Sequence, residues 1–195
     1  MLPEVSAIVL AAGSSRRMGR PKQLLPLGPK TFIRHCLDSI IGAGLKDIVV
    51  VLGGDDGAIA GAIDGLPVKT AENRDPGSEM AESVRLGLRQ IDAASTAVLV
   101  CLSDHPLVSP ETMRRLVAAC GEHPGGIIIP LYKGRRGHPT LFPRTVIEEV
   151  VSGRNLREVI TGHSGDVLSI EVNDEGVVLD LDTPEEYERV KGRFI

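Results

Sequence analysis

The side chains best suited to chemistry crowd behind the first apolar run: Arg16, Arg17, Arg20 and Lys22 follow the small residues Ala11-Ala12-Gly13-Ser14-Ser15. A loop of small residues can turn its backbone N–H groups toward an anion, and fixed cations beside it suit a polyphosphate. Two acids stand in comparable positions after later apolar runs. Asp104 lies in Val100-Cys101-Leu102-Ser103-Asp104-His105-Pro106-Leu107, and Asp182 in Leu179-Asp180-Leu181-Asp182-Thr183-Pro184. A triphosphate arrives with Mg²⁺, which takes one or two carboxylates together with phosphate oxygens and water. The combination points to nucleoside triphosphate chemistry.

Plainer readings stand beside this one. Gly13 and Gly19 could simply turn the chain while the cations are solvated, and either Asp could be a turn or cap acid, Asp182 above all because Thr183 already supplies a cap. A Walker A loop is excluded, because Gly13 and Gly19 are followed by Arg20-Pro21 and not by Lys-Ser/Thr. A dinucleotide fingerprint is missing too: its positions hold Gly13, Ser15 and Met18, and the second strand ends Val51-Leu52-Gly53-Gly54 with no ribose-holding acid directly after it. Gly137-His138-Pro139 offers an imidazole that could donate a hydrogen bond or move a proton, or a turn present for backbone reasons alone. His35, His123 and His163 lack metal-ligand spacing, so no zinc site is expected.

The elements that must position these residues alternate. Apolar β-branched runs near 5–11, 47–52, 67–71, 97–102 and 126–130 predict strands. Helical spacing between them predicts helices over 31–43, 79–91, 110–120 and 184–193, with Gly44 capping the first. Ser109-Pro110-Glu111 and Thr183-Pro184-Glu185-Glu186 each place a hydroxyl at N-cap, Pro at N1 and acids in the first turn. Beyond 133 the pattern loosens into a hairpin around Gly137–Phe142, helices at 143–151 and 155–161, and two late strands. This is the form of an α/β fold, a mostly parallel central sheet flanked by helices on both faces. Asp104 then lies at the carboxyl edge, where such sheets bind ligands.

With 195 residues, 42% apolar and 25% charged, and no internal repeat or linker, the chain is expected to form a single domain over 1–195. A net charge of −4, 3% aromatic residues and no Trp argue against a nucleic-acid partner. No apolar run approaches the ~18 residues of a membrane span, and the N-terminal apolar stretch lacks a basic n-region, so neither membrane nor signal peptide is expected. Cys36, Cys101 and Cys120, odd in number and set in apolar or helical contexts, suit reduced packing residues of a cytoplasmic protein.

The first loop as a whole, Leu-Ala-Ala-Gly-x-Ser-x-Arg-Met-Gly-x-Pro-Lys, resembles that of nucleotidylyltransferases with the glycosyltransferase-A-like, Rossmann-like fold of nucleotide-diphospho-sugar transferases. The segment around Asp104 sharpens the likeness to the molybdenum cofactor cytidylyltransferases, within the MobA-like NTP transferase family. Asn73 ahead of Glu79-Met80-Ala81-Glu82-Ser83, then Gly137-His138-Pro139-Thr140, then Asp180-Leu181-Asp182-Thr183-Pro184, follow in the same order. The resemblance implies nucleotide contacts from Leu10, Ala11, Ala12, Gly13, Arg17, Lys22, Asn73, Met80, Ser83 and Asp104. It implies catalytic roles for Arg17, Lys22 and Asp104, Mg²⁺ on Asp104 and Asp182, and a pterin substrate facing His138. The implied reaction is transfer of CMP from CTP to the phosphate of the molybdopterin cofactor, releasing pyrophosphate, with a molybdoenzyme or its chaperone as recipient. Departures are Glu79 for the usual Gly, Ala81 for a common Ser, and His105 for a common Gln. Ala12 resembles the cytidylyl branch, where the guanylyl branch has a second Gly. The alternatives are a guanylyltransferase on the same cofactor, the cytidylyltransferase of isoprenoid synthesis, and a nucleotide-binding module without turnover.

Overall fold

A computed structural model describes residues 3–13, 21–54, 57–181 and 183–192. Arg17 and Asp182 lie outside the described residues, as do Arg16 and Arg20. The chain forms β1 (Val5–Leu10), the short pair β2 (Pro26–Leu27) and β3 (Lys30–Thr31), α1 (Phe32–Gly42), β4 (Asp47–Gly53), α2 (Gly57–Ala62), β5 (Lys69–Asn73), α3 (Met80–Leu88), β6 (Ala97–Leu102) and α4 (Pro110–Glu122). It continues as β7 (Ile127–Tyr132), β8 (Arg135–Arg136), β9 (Thr140–Pro143), α5 (Arg144–Ile147), α6 (Leu156–Gly162), β10 (Val167–Glu171) and α7 (Pro184–Lys191).

The main sheet runs β10-β7-β9-β6-β1-β4-β5, with β8 pairing off this path with β7. Neighbours are parallel except around β9, which lies antiparallel between β6 and β7. The expected mostly parallel α/β sheet is what forms. Both faces are covered, so β1 buries every residue from Ser6 to Leu10 and period-two alternation separates two cores. Ala7, Val9, Val50, Leu99 and Cys101 meet α1, α2 and α4 on one face, through Ile33, Leu37, Ile59 and Leu116. Ile8, Val49, Val51, Val98 and Val100 meet α3, α5 and α6 on the other, through Val84, Leu88, Ile147 and Val159. Gly87 lets α3 lie close on β1: a Cβ there would sit 2.6 Å from Ile8 Cγ2.

The caps at Ser109 and Thr183 form as their sequences predict. Ser109 Oγ accepts from Thr112 N at 3.2 Å, and Thr183 and Glu186 make a capping box. Helix α7 then packs over the β2–β3 pair, where Tyr187 Oη donates to the Pro26 carbonyl at 2.8 Å beside Phe32.

Three expectations change. The hairpin turn falls at Lys133-Gly134, both at positive φ, and not within 137–142. Gly137 serves a close approach instead: a Cβ there would overlap the Val177 carbonyl. The helix expected over 143–151 divides into α5 and a 3-10 turn, Glu148–Ser152, stopped by Gly153 at φ 104°. One of the two late strands forms, as β10. The later apolar stretch instead becomes a 3-10 turn, Glu175–Val178, because Asp174 Oδ1 accepts from Gly176 N at 3.0 Å and bends the backbone locally.

Candidate active site

Four parallel strands, β1, β4, β5 and β6, deliver their following loops to one edge of the sheet. Leu10 ends β1, and its carbonyl accepts from Ser103 N at 3.3 Å, joining the first loop to the loop of Asp104. Ala11 is buried and donates its N–H to the Val51 carbonyl at 2.9 Å. Ala12 and Gly13 rise toward solvent, and a Cβ on Gly13 would meet nothing within 4 Å among the described residues.

The residues just after the undescribed stretch tie this loop down. The 3-10 turn Lys22–Leu24 sends adjacent side chains apart. Gln23, 2% exposed, donates from Nε2 to the carbonyls of Ala11 at 2.8 Å and Gly13 at 3.3 Å. Lys22 reaches the opposite way and places Nζ 2.9 Å from Asp104 Oδ2.

The other oxygen of Asp104 has no such partner. Oδ1 is buried without a hydrogen bond among the described residues, with His105 Nε2 4.0 Å away. An unpaired buried acceptor costs about 1–3 kcal/mol, more when charged, and a cation removes that cost. The donor set fits Mg²⁺, which needs one or two protein carboxylates when phosphate oxygens and waters complete its shell. Among the described residues no group of three or more His, Cys, Asp or Glu could hold a metal, so water or substrate oxygens would complete its shell.

The antiparallel insertion of β9 brings His138 into this neighbourhood. Thr140 pairs with Val100 near the carboxyl end of β6, so the residues before β9 begin beside the Asp104 loop. His138 donates its backbone N–H to the Val177 carbonyl at 2.8 Å, and its ring centroid lies 5.2 Å from that of His105. Its Nδ1 is buried without a partner among the described residues. Burial first, then the like charge of His105, pushes the His138 imidazole down to about 4, against a weaker opposite pull from Asp104 and Asp180. The ring is therefore neutral at pH 7, with one donor and one acceptor nitrogen.

His138 also lines a cleft of about 600 Å³ between α3, the end of β6, β9 and α6. Met80, Val100, Leu102, Phe142, Leu156 and Ile160 make its walls largely apolar, with Thr140, Asn155 and Arg157 as polar points. Met80 is 52% exposed, an uncovered hydrophobe at the cleft mouth. Asn73 and Ser83 come together behind it: Asn73 Nδ2 donates to Ser83 Oγ at 2.9 Å and to Ser78 Oγ at 2.8 Å, while its Oδ1 accepts from Asp75 N at 3.2 Å. The carboxamide of Asn73 is thus occupied in bracing the loop over 74–79.

The other titratable candidates sit apart from this edge. His35 bonds the Leu27 carbonyl and His163 bonds Glu149, as packing and surface residues do. The cysteines are buried and free; burial pushes the Cys101 thiol up to about 12.

Parallel strands ending at a Lys–Asp pair and an adjoining cleft form the ligand-binding edge of an α/β sheet, and the family match makes the class that of nucleotidyltransferases. The chain belongs to the MobA-like NTP transferase domain family, whose pattern matches residues 7–166. It is 31% identical over 204 residues to nicotine blue oxidoreductase of Paenarthrobacter nicotinovorans, covering 97% of both chains. It is 30% identical over 157 residues to 3-deoxy-manno-octulosonate cytidylyltransferase of Methylococcus capsulatus, covering 79% of this chain and 60% of that protein. Among solved structures, Rv0371c of Mycobacterium tuberculosis superposes with a TM-score of 0.83 at 31% identity, covering 98% and 99% of the two chains. A manganese complex of Rv0371c matches with a TM-score of 0.78 at 29% identity, covering 97% of this chain and 98% of that one.

Sequence reasoning passed over Gln23, whose type suggests a surface residue, and Gly176, whose carbonyl faces His105. The signal for Gln23 was its place directly after Lys22, inside an otherwise apolar Leu24-Leu25 approach to the core. Nothing local marked Gly176.

Proposed function

We propose that residues 1–195 form a single nucleotidyltransferase domain that transfers CMP from CTP to the terminal phosphate of the molybdenum cofactor. An oxygen of the acceptor phosphate attacks the α-phosphorus, the bond from that phosphorus to the bridging oxygen breaks, and pyrophosphate leaves. The acceptor is already ionised near neutral pH, so alignment and charge neutralisation carry the reaction. Lys22, with Arg17, would meet the charge gathering on the leaving pyrophosphate. Asp104, with Asp182, would hold Mg²⁺, which when bound neutralises the triphosphate and orders its oxygens.

The observation that carries this reading is the arrangement of Asp104: one oxygen bonded by Lys22, the other buried without a hydrogen bond among the described residues, at the sheet edge beside the His138 cleft. The ammonium could pass to phosphate oxygens when a triphosphate enters, and Asp104 Oδ1 would be the oxygen to hold the cation. Ala11, Ala12 and Gly13 would approach the triphosphate through backbone groups, with Leu10 setting the loop's origin. Met80 would lie against the base on the loop braced by Asn73 and Ser83, and His138 would face the pterin. The preference for CTP is supported by the Ala12 form of the loop and by the cytidylyltransferase named among the relatives. The oxidoreductase name of the Paenarthrobacter relative is not carried over, because the first loop lacks the dinucleotide glycines.

Three buried cysteines suit a reducing cytoplasm, with a molybdoenzyme or its chaperone as recipient of the product. No described helix is long and apolar enough to cross a membrane. The test is pyrophosphate release with each of the four NTPs, with and without the cofactor and Mg²⁺. Release only with CTP, acceptor and metal together supports the reading, and nucleotide binding without release favours a module with no turnover.

A further inference from the structure

The His105 ring is 8% exposed, and its Nδ1 lies 3.3 Å from the Gly176 carbonyl oxygen. A carbonyl oxygen only accepts, so Nδ1 carries a hydrogen and Nε2 is the ring nitrogen available to a metal ion. Nε2 lies 4.0 Å from Asp104 Oδ1, which is buried without a hydrogen bond among the described residues. That gap is too long for a hydrogen bond. The gap is also shorter than two metal–ligand distances of about 2.1 Å each placed end to end.

The surroundings hold this pair in place. Metal-bound histidines generally donate the other ring N–H to a carboxylate or backbone carbonyl, which fixes tautomer and orientation. The Gly176 carbonyl fills that position here, and it cannot drift: a Cβ on Gly176 would overlap the Leu107 carbonyl, and Gly176 N is bonded to Asp174 Oδ1 at 3.0 Å. Lys22 occupies the far oxygen of Asp104, which turns the near one toward His105.

We infer that His105 Nε2 and Asp104 Oδ1 together hold the divalent cation, and that the nitrogen ligand shifts the site's preference from Mg²⁺ toward Mn²⁺ and later first-row ions. Imidazole binds such ions more strongly than it binds Mg²⁺, which prefers oxygen. The inference rests on the proposed function in one respect, that Asp104 is a metal ligand.

The probe is Mn²⁺ added alone to the full chain with protein in excess, read by pulsed EPR for nitrogen coupling and by calorimetry for affinity. The unaltered chain shows ¹⁴N coupling from a directly bound imidazole. The coupling is lost in His105→Gln and kept in His138→Asn. Mn²⁺ affinity falls about tenfold or more in His105→Gln, the scale seen when metal-site partners are removed, while Mg²⁺ affinity changes far less. Binding that depends on Asp104 but shows no nitrogen coupling in the unaltered chain overturns this inference and leaves the proposed function standing, as does coupling that persists in His105→Gln. Mn²⁺ binding that Asp104→Asn leaves unchanged overturns both the inference and the role of Asp104, whereas no binding of Mn²⁺ in the absence of nucleotide overturns the inference alone. Absence of nitrogen coupling in the unaltered chain overturns the inference even where a variant fails to fold.

Discussion

Lys22 Nζ lies 2.9 Å from Asp104 Oδ2, a contact between residues 82 apart in sequence that joins the first loop of the chain to the end of β6. Both partners are largely shielded, with side chains 15% and 24% exposed, so the pair is more than a solvated surface contact. On the proposed reading, Lys22 meets the charge on the leaving pyrophosphate. Lys22→Met is expected to lower kcat for pyrophosphate release by about 10²–10³, the scale of losing one preplaced charge stabiliser. Steady-state kinetics beside a thermal melt checks this; an unchanged kcat would remove Lys22 from the mechanism.

Gln23 gives a prediction that separates loop geometry from charge. Gln23→Leu keeps the buried volume but leaves the Ala11 carbonyl without its 2.8 Å donor, at a cost of about 1–3 kcal/mol. The carbonyls of Ala11 and Gly13 should also lose their anchor, raising KM for the nucleotide about tenfold, equivalent to ~1.4 kcal/mol, with little change in KM for the acceptor. Denaturant melts and nucleotide titrations measure the two effects.

Gly176 lies at the back of the site. Gly176→Ala forces a methyl group onto the Leu107 carbonyl, and the strain is expected to cost about 1–3 kcal/mol, as overpacking does. Because Leu107 and His105 share one loop, turnover should fall with stability, whereas Gly57→Ala, where a Cβ meets nothing within 4 Å, should change neither strongly. Parallel melts and rates of the two variants make the comparison.

Acid stability should depend on Asp47. Burial alone would raise this carboxyl, but hydrogen bonds from the Lys69 ammonium, the Ser6 hydroxyl and the Asp92 amide pull it below the usual carboxylate range. A carboxyl lowered in the folded state stabilises it fully above the unfolded value near 3.9 and loses that contribution as pH falls through the lower folded value. Asp47→Asn is therefore expected to be less stable than the parent at pH 7, with the difference narrowing below about pH 4. Urea midpoints measured between pH 3 and pH 7 test the sign.

What the sequence disclosed and what it withheld follow from the range of the interactions. The β-branched runs at Ile48–Val51 and Ala97–Cys101 and the caps at Ser109 and Thr183 are local signals, and each became the element it predicts. Asp104 was legible because a polar residue directly after a buried strand must emerge at the sheet edge. The antiparallel placement of β9 was not legible, since strand order is decided by pairing among segments distant in sequence. With it went the approach of His138 to His105. The resemblance implies a nucleotide contact for Asn73, but its use as a brace depends on Ser78 and Ser83, which only the folded loop brings near.

The most direct measurement of the central claim is the mass of the acceptor after incubation of the full chain with molybdenum cofactor, Mg²⁺ and an equimolar mixture of CTP and GTP. The account predicts an acceptor heavier by one CMP unit, formed together with stoichiometric pyrophosphate and lost in Asp104→Asn. An acceptor carrying GMP, or one left unchanged beside intact nucleotides, would contradict it.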